Sequence, residues 1–404
     1  MTAATSAPEA EVVALQPLPQ RIWDNVRTGN LGSWPVIGAL AIIVLVFSQT
    51  AQNFFTPVNF TNIITQMAGT CLLAYGIVFV LLIGEIDLSV SFVSGVAGVI
   101  VAETQLPNGA NLPWYLCVFL ALLAATLIGA FQGSIVALVG VPSFVVTLAG
   151  FEIWQGVIQR TINTGVIVIQ DDMINNFSNY FFSQLAGWIM AALVSGAYVA
   201  GTLWSTVQGV RHGIAVRDPI MLAIKLVAVP AVAIVTVWIL NKDRGVPFAL
   251  LLVVAGLLVW TFVAKRTTFG RHVYAVGGNA EAARRAGINV ARIRILVFMI
   301  AGAMSGLGGI VLAARLNSVD LNAGGGTLLI DAIAAAVIGG TSLFGGRGEI
   351  RNALIGAAMI STVSNGMFIL GYHPGVIFIV TGAILLLAVT FDTVVRRIQV
   401  RSGR

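Results

Sequence analysis

Apolar residues in this chain gather into runs at about residues 35–52, 63–83, 88–102, 113–139, 144–160, 185–205, 219–240, 247–264, 295–314, 327–343, 352–371 and 374–393. A bilayer core takes roughly 20 apolar residues per helix, so runs of this length read as membrane helices. The pattern predicts an all-α, polytopic membrane protein of about twelve hydrophobic segments, some of them too short or too glycine-rich to be plain lipid-facing spans. Composition agrees. Of 404 residues, 58% are hydrophobic and 9% charged, against roughly a quarter charged in a soluble domain, which excludes a soluble enzyme.

Charge then adds sidedness. The formal charge is +6, with 22 basic residues of which only Lys225, Lys242 and Lys265 are lysines. Basic residues in a membrane chain sort to the cytoplasmic side. With the N-terminus inside, 17 of the 22 fall on inner stretches, and only Arg160, Lys242, Arg244 and Arg315 fall outside. Lys225 lies in a span near its inner end, where it can snorkel to the interface. Both termini are therefore expected in the cytosol, and the basic balance is not a nucleic-acid footprint. Residues 1–34 are polar, with Pro8, Pro17 and Pro19. A cleaved signal peptide would place its apolar core near the start, so a mobile cytosolic tail is expected there. Residues 35–393 then form the membrane domain, with a polar cytosolic loop at 265–294, and 394–404 form a basic tail. Cys71 and Cys117 sit inside apolar runs and read as small core residues.

One join between runs holds two acids, in Gly84-Glu85-Ile86-Asp87-Leu88-Ser89. Acids at the bilayer centre cost roughly 2.5–3.5 kcal/mol each, so these belong near an interface, in a water-filled cavity or among protein partners. Asp87 can cap the next helix, or it can contact substrate, since irregular backbone at depth usually lines a cavity. The spacing of Ile83, Gly84 and Leu88 recurs at Ile338, Gly339 and Leu343. Such glycine-interrupted segments in two halves point to a central pathway. The small residues from Ala301 to Gly309 read as a close helix-packing face.

The loop 265–294 contains a written helix. Asn279 is an N-cap, Glu281 lies in the first turn, Ala280, Ala282 and Ala283 favour helix, Arg284 and Arg285 suit its C-terminal end, and Gly287 stops it. A rod this short needs a surface to pack on. It could lie on anionic lipid or dock into a soluble partner, and composition leaves both open.

The run Gly270 to Ile288 closely resembles the coupling loop of ABC-transporter permeases of the ribose and xylose type. The motifs at 84–90, 141–150, 331–346 and 351–360, followed by Asn365 and Gly366, are similar to the other motifs of that family in the same order. The resemblance implies a permease subunit of a bacterial inner-membrane sugar importer. It further implies two permease copies forming the pathway, cytosolic ABC ATPase subunits on the coupling helices, and an extracytoplasmic sugar-binding protein delivering substrate. The extra hydrophobic material around 185–240 favours the xylose type. Gly278, Asn279, Glu281, Ala282, Ala283, Arg284 and Gly287 are then the coupling residues. The chain departs from the family with Glu85 in place of a small residue, Gln132 in place of Asn, and Ala286 in place of Ser.

Residues that could line the route are Glu85, Asp87, Ser89, Gln132, Ser143, Thr147 and Asn365. For Ser143 and Thr147 the competing reading is a hydroxyl bonded to its own helix; for Gln132 and Asn365 it is helix-to-helix hydrogen bonding. No G-x-x-x-x-G-K-[ST] loop occurs, so the chain binds no ATP by that means and no cofactor is expected on it. Any ATP would be used by partner subunits. His212, His272 and His373 are scattered, without a hydrolase motif. The rival from another class is a stand-alone ion-coupled transporter, for which Glu85, Asp87 and Asp331 are the available acids.

Overall fold

The computed structural model describes residues 34–163, 165–212 and 219–401, so all of the expected N-terminal tail but Trp34 lies outside the described residues. Helices in chain order are α1 (Trp34–Thr50), α2 (Pro57–Leu82), α3 (Val90–Thr104), α4 (Trp114–Ser134), α5 (Ser143–Thr161), α6 (Asp172–Asn179), α7 (Gln184–Arg211) and α8 (Pro219–Leu240). They continue with α9 (Phe248–Arg266), α10 (Thr268–Gly278), α11 (Ala280–Arg285), α12 (Val290–Leu316), α13 (Leu328–Ile338), α14 (Ile350–Ile369) and α15 (Pro374–Arg401). Each of the twelve apolar runs coincides with one helix. Among the described residues seven helices are long and apolar enough to cross a membrane, namely α2, α4, α7, α8, α9, α12 and α14, while α1, α3, α13 and α15 carry shorter apolar stretches. α5 is long enough but more polar, with Glu152, Gln155, Gln159 and Arg160. Polytopic all-α architecture thus holds, with seven long spans and four shorter apolar helices among the twelve segments. The last helix continues through Arg401, into the stretch expected as a tail.

Two features fall outside the all-α expectation. Val166–Val168 (β1) pairs antiparallel with Ser318–Asp320 (β4), and Phe181–Phe182 (β2) pairs antiparallel with Val246–Pro247 (β3). These ribbons of two or three residues are too short to show a period-two pattern.

The core is built on α2 and α12. In α2, 89% of the most apolar window is buried by protein, so this helix is a central post with little lipid contact. α12 crosses α2, α3 and α4 closely because its face is small. A Cβ on Gly302 would overlap the Ala125 carbonyl in α4, and one on Gly309 would overlap the Ser94 carbonyl in α3. The small-residue stretch therefore does what its composition suggests.

Loops gather at two ends of the bundle. At one end the β1–β4 ribbon joins the 162–171 and 317–323 connections, and Arg244 donates to Asn62 Oδ1 at 3.2 Å. At the other, α9, α10, the start of α12 and the 343–349 turn converge on the end of α2. Peripheral α7 and α8 are almost wholly unburied, at 11% and 6% of their apolar windows. They join the bundle through a small cluster around Ile64, Ala191, Val237 and Leu240.

Candidate functional site

Between α2 and α3 the chain leaves helix at Gly84 (φ 74°), a backbone conformation that a side chain resists. Residues 84–89 are then clamped by α4 and α5. The Ile86 N–H donates to Ser143 Oγ at 3.1 Å, and Thr147 Oγ1 lies 3.2 Å from the Ile86 carbonyl and 2.9 Å from that of Ser143. Asp87 Oδ1 accepts from the Ser89 N–H at 2.9 Å and from Ser89 Oγ at 2.7 Å, and Ser89 Oγ also lies 2.8 Å from Gln132 Oε1.

A hydroxyl has one proton and cannot donate to both. With the Gln132 amide turned by 180°, its N–H donates to Ser89, which donates to Asp87, and the amide oxygen takes the position where the nitrogen had no partner. Gln132 itself lies one turn before a π-helical turn at Ile135–Val139, which ends in left-handed Gly140.

Below this knot stands a second arrangement. The Glu85 carboxylate lies 3.0 Å from Arg294 Nε at the start of α12, a close ion pair whose Nε is not aligned for a hydrogen bond. Gly346 donates to the Leu82 carbonyl at 2.8 Å, and Gly277 of α10 packs against the same carbonyl so tightly that a Cβ would overlap it. The turn at Gly84 therefore meets the stretch Phe344 to Gly346 that follows the second glycine-interrupted segment, while Gly339 packs against Asn352 and Ala353. Lys265 Nζ lies 2.8 Å from Glu349, which also pairs with Arg351. Tyr274 donates to the Gly348 carbonyl at 2.7 Å; burial, and secondarily the Glu349 charge, raise its phenol above the ordinary range, so it remains a donor.

On this platform sits α11. Asn279 Oδ1 accepts from the Ala282 N–H at 2.9 Å, and Gly287 turns at φ 84°, the cap and stop read from sequence. Only Ala283 of the helix is buried; Glu281, Ala282, Arg284 and Arg285 are exposed.

Residues 59–389 match the family model described as branched-chain amino acid transport system / permease component. The chain belongs to this family. The permease is 36% identical over 378 residues to the xylose transport system permease protein XylH of Escherichia coli (strain K12), covering 93% of this chain and 95% of that one. XylH of Haemophilus influenzae is 33% identical, over 91% of this chain and 98% of its own. The ribose import permease protein RbsC of the same species is 32% identical, over 88% and 91%. No solved structure matches. The protein is thus a multi-pass membrane component of an ABC-type transport system, homologous to bacterial inner-membrane permeases. It is the transport component and not the ATPase, and no cofactor is expected on it.

In the permease, five of the seven predicted route residues, Asp87, Ser89, Gln132, Ser143 and Thr147, share one buried hydrogen-bonded knot. The N-cap of α3 is Ser89, whose own side chain makes no cap bond, and Asp87 accepts from the Ser89 N–H. Thr147 bonds both back to its own helix and across to Ile86. Glu85 instead pairs with Arg294. Asn365 stands apart on α14, buried, with Oδ1 unpartnered. Sequence reasoning missed Arg294, Tyr274 and Glu349 as parts of this region. The usable signal was Glu85 itself, since an acid near the bilayer requires a partner.

Ser89→Ala leaves Asp87 and Gln132 without their shared partner in a fully buried place, so a loss of about 1–3 kcal/mol is expected, read as a lower melting temperature in lipid nanodiscs. A second expectation concerns pH. Burial alone would raise the Glu349 carboxyl, but the Lys265 and Arg351 contacts outweigh it and hold the group below its ordinary value of 4.5. A depressed folded value stabilises fully above the ordinary one and is lost as pH falls through the folded one. Melting temperature should therefore fall below about pH 4.5, and Glu349→Gln should flatten part of that decline.

Proposed function

We propose that this permease is the membrane-spanning subunit of an ATP-driven monosaccharide importer, with D-xylose as the favoured sugar. The observation that carries the reading is its 36% identity to a xylose permease across nearly the whole of both chains. In this reading the end bearing α11 faces the cytosol, with both termini on the same side, and an extracytoplasmic sugar-binding protein docks at the other. Two copies enclose the pathway, surrounded by membrane lipid.

The mechanism follows from the connections at the inner end. Cytosolic ATPase subunits grip the exposed face of α11, through Gly278, Asn279, Glu281, Ala282, Arg284 and Gly287, while buried Ala283 seats the rod. Movement of that rod reaches the pathway along two contacts: Gly277 pressed on the end of α2, and Arg294 paired with Glu85 just before the α3 knot. Closure of the ATPases biases the packing of α2 and α3 between inward- and outward-facing arrangements. The helix break with Asp87, Ser89 and Gln132 is the element that changes, and Asn365 lines the route. Of the three acids an ion-coupled carrier would draw on, Glu85 is already paired with the Arg294 guanidinium, which favours the ATP-driven reading.

Reconstitution tests it. The permease, its co-expressed ATPase and a sugar-binding protein in liposomes should take up labelled D-xylose only with ATP inside. Uptake by the permease alone, driven by an ion gradient, would overturn the reading.

A further inference from the structure

A cavity of about 210 Å³ opens among α2, α13, α14 and α15, far above the roughly 10–15 Å³ that one water needs. Its wall includes Gln66, Thr70, Thr327, Asp331, Ser361 and Phe378. Gln66 precedes Leu82 by sixteen residues, which places the cavity roughly 24 Å along α2 from the α11 end. It therefore lies in the half of the bundle that faces outward in the reading above, on which this inference rests.

Asp331 is its focus. Thr327 Oγ1 donates to Asp331 Oδ2 at 2.7 Å, while Oδ1 is buried and has no hydrogen-bond partner. An unmade bond to a buried carboxylate oxygen is costly, so a hydroxyl donated to this carboxylate from the cavity is favoured.

We propose that this cavity is a binding subsite for a neutral polyhydroxylated ligand, a monosaccharide, at the outer mouth of the pathway, with the Asp331 carboxylate accepting from its hydroxyls. The wall chemistry selects the class. Hydroxyls at Thr70, Thr327 and Ser361 and the Gln66 amide offer both donors and acceptors, as a sugar requires. Phe378 supplies an apolar ring against which sugar C–H faces can pack. Neither lysine nor arginine lines the cavity, so an anion, or the carboxylate of an amino acid, finds no counter-charge there. The subsite is separate from the Asp87 knot, where Asp87 and Ser89 bond each other. α2 links the two, running from Gln66 past the cavity to the helix break.

Two measurements on the assembled importer in whole cells test this. First, Ser364→Cys places a thiol in the cavity wall, while native Cys71 and Cys117 are fully buried. A membrane-impermeant methanethiosulfonate added outside should modify Ser364→Cys, and D-xylose or D-ribose should slow the reaction where L-leucine does not. Second, Asp331→Asn should raise the apparent KM for D-xylose uptake roughly tenfold or more, the expected effect of weakening a charged hydrogen bond, with the ATPase still co-purifying.

An unreactive thiol overturns the proposal, as does reactivity indifferent to sugar or an unchanged KM in Asp331→Asn. Protection by sodium or by acid in place of sugar also overturns it, in favour of a cation site. If Asp331→Asn fails to reach the membrane, the thiol experiment decides alone. Failure of the importer reading looks different: the unsubstituted chain would transport without ATP, whether or not sugar protects the thiol.

Discussion

Replacing Ala282 and Arg284 together by glutamate is expected to abolish co-purification of the ATPase and reduce ATP-driven uptake to background. Both residues are exposed on α11. Among the described residues Arg284 pairs with Glu281 of its own helix, at 3.6 Å, a solvent-exposed pair of little energetic weight. Folding should be nearly unaffected, because surface substitutions of this kind shift stability by about 0.5 kcal/mol or less. The partner's contact would instead meet two new negative charges where it had a methyl group and a guanidinium. Pull-down from membranes reads the association, and the melting temperature of the purified permease reads the fold. Retained association would show that the rod does not dock the motor.

Gly277→Val should act in the opposite manner, on the fold before the partner. A Cβ there would overlap the Leu82 carbonyl and press on the Gly346 backbone N–H that bonds to that same carbonyl. Both neighbours are backbone, so no side chain can swing away. The loss should reach about 3 kcal/mol, the upper part of the range for overpacking, and the contact between α10 and the end of α2 would open. Gly278 is the control: nothing lies within 4 Å of a Cβ at that position, so Gly278→Ala should melt like the parent. Equal melting temperatures for Gly277→Val and Gly278→Ala would refute the close contact.

The contrast between these neighbours marks how far the chain could be read from its residues. Membrane helices were legible because each is one continuous apolar run. α11 was legible because its cap, first-turn acid and stop are local, all within Asn279–Gly287. α10 was not, since Thr268–Gly278 carries three glycines and no clean apolar run; it is held by the Thr267 cap, whose Oγ1 accepts from the Gly270 N–H at 3.1 Å, and by packing of Val273 and Val276. Asp87, Ser89 and Gln132 were identified as polar groups needing an explanation, but their mutual bonding depends on how α4 meets the break. The Glu85–Arg294 pair and the Asp331 cavity are likewise tertiary, joining segments far apart in sequence, and periodicity carries no information about such meetings.

The α7 and α8 pair, with outward side chains such as Leu185, Leu193, Trp204 and Val232, carries a consequence for handling the molecule. Its order depends on the acyl chains around it more than on the bundle beside it. Extraction into a short-chain micelle would loosen this flank first while the central post stands, and the thickness of the surrounding bilayer would set its tilt.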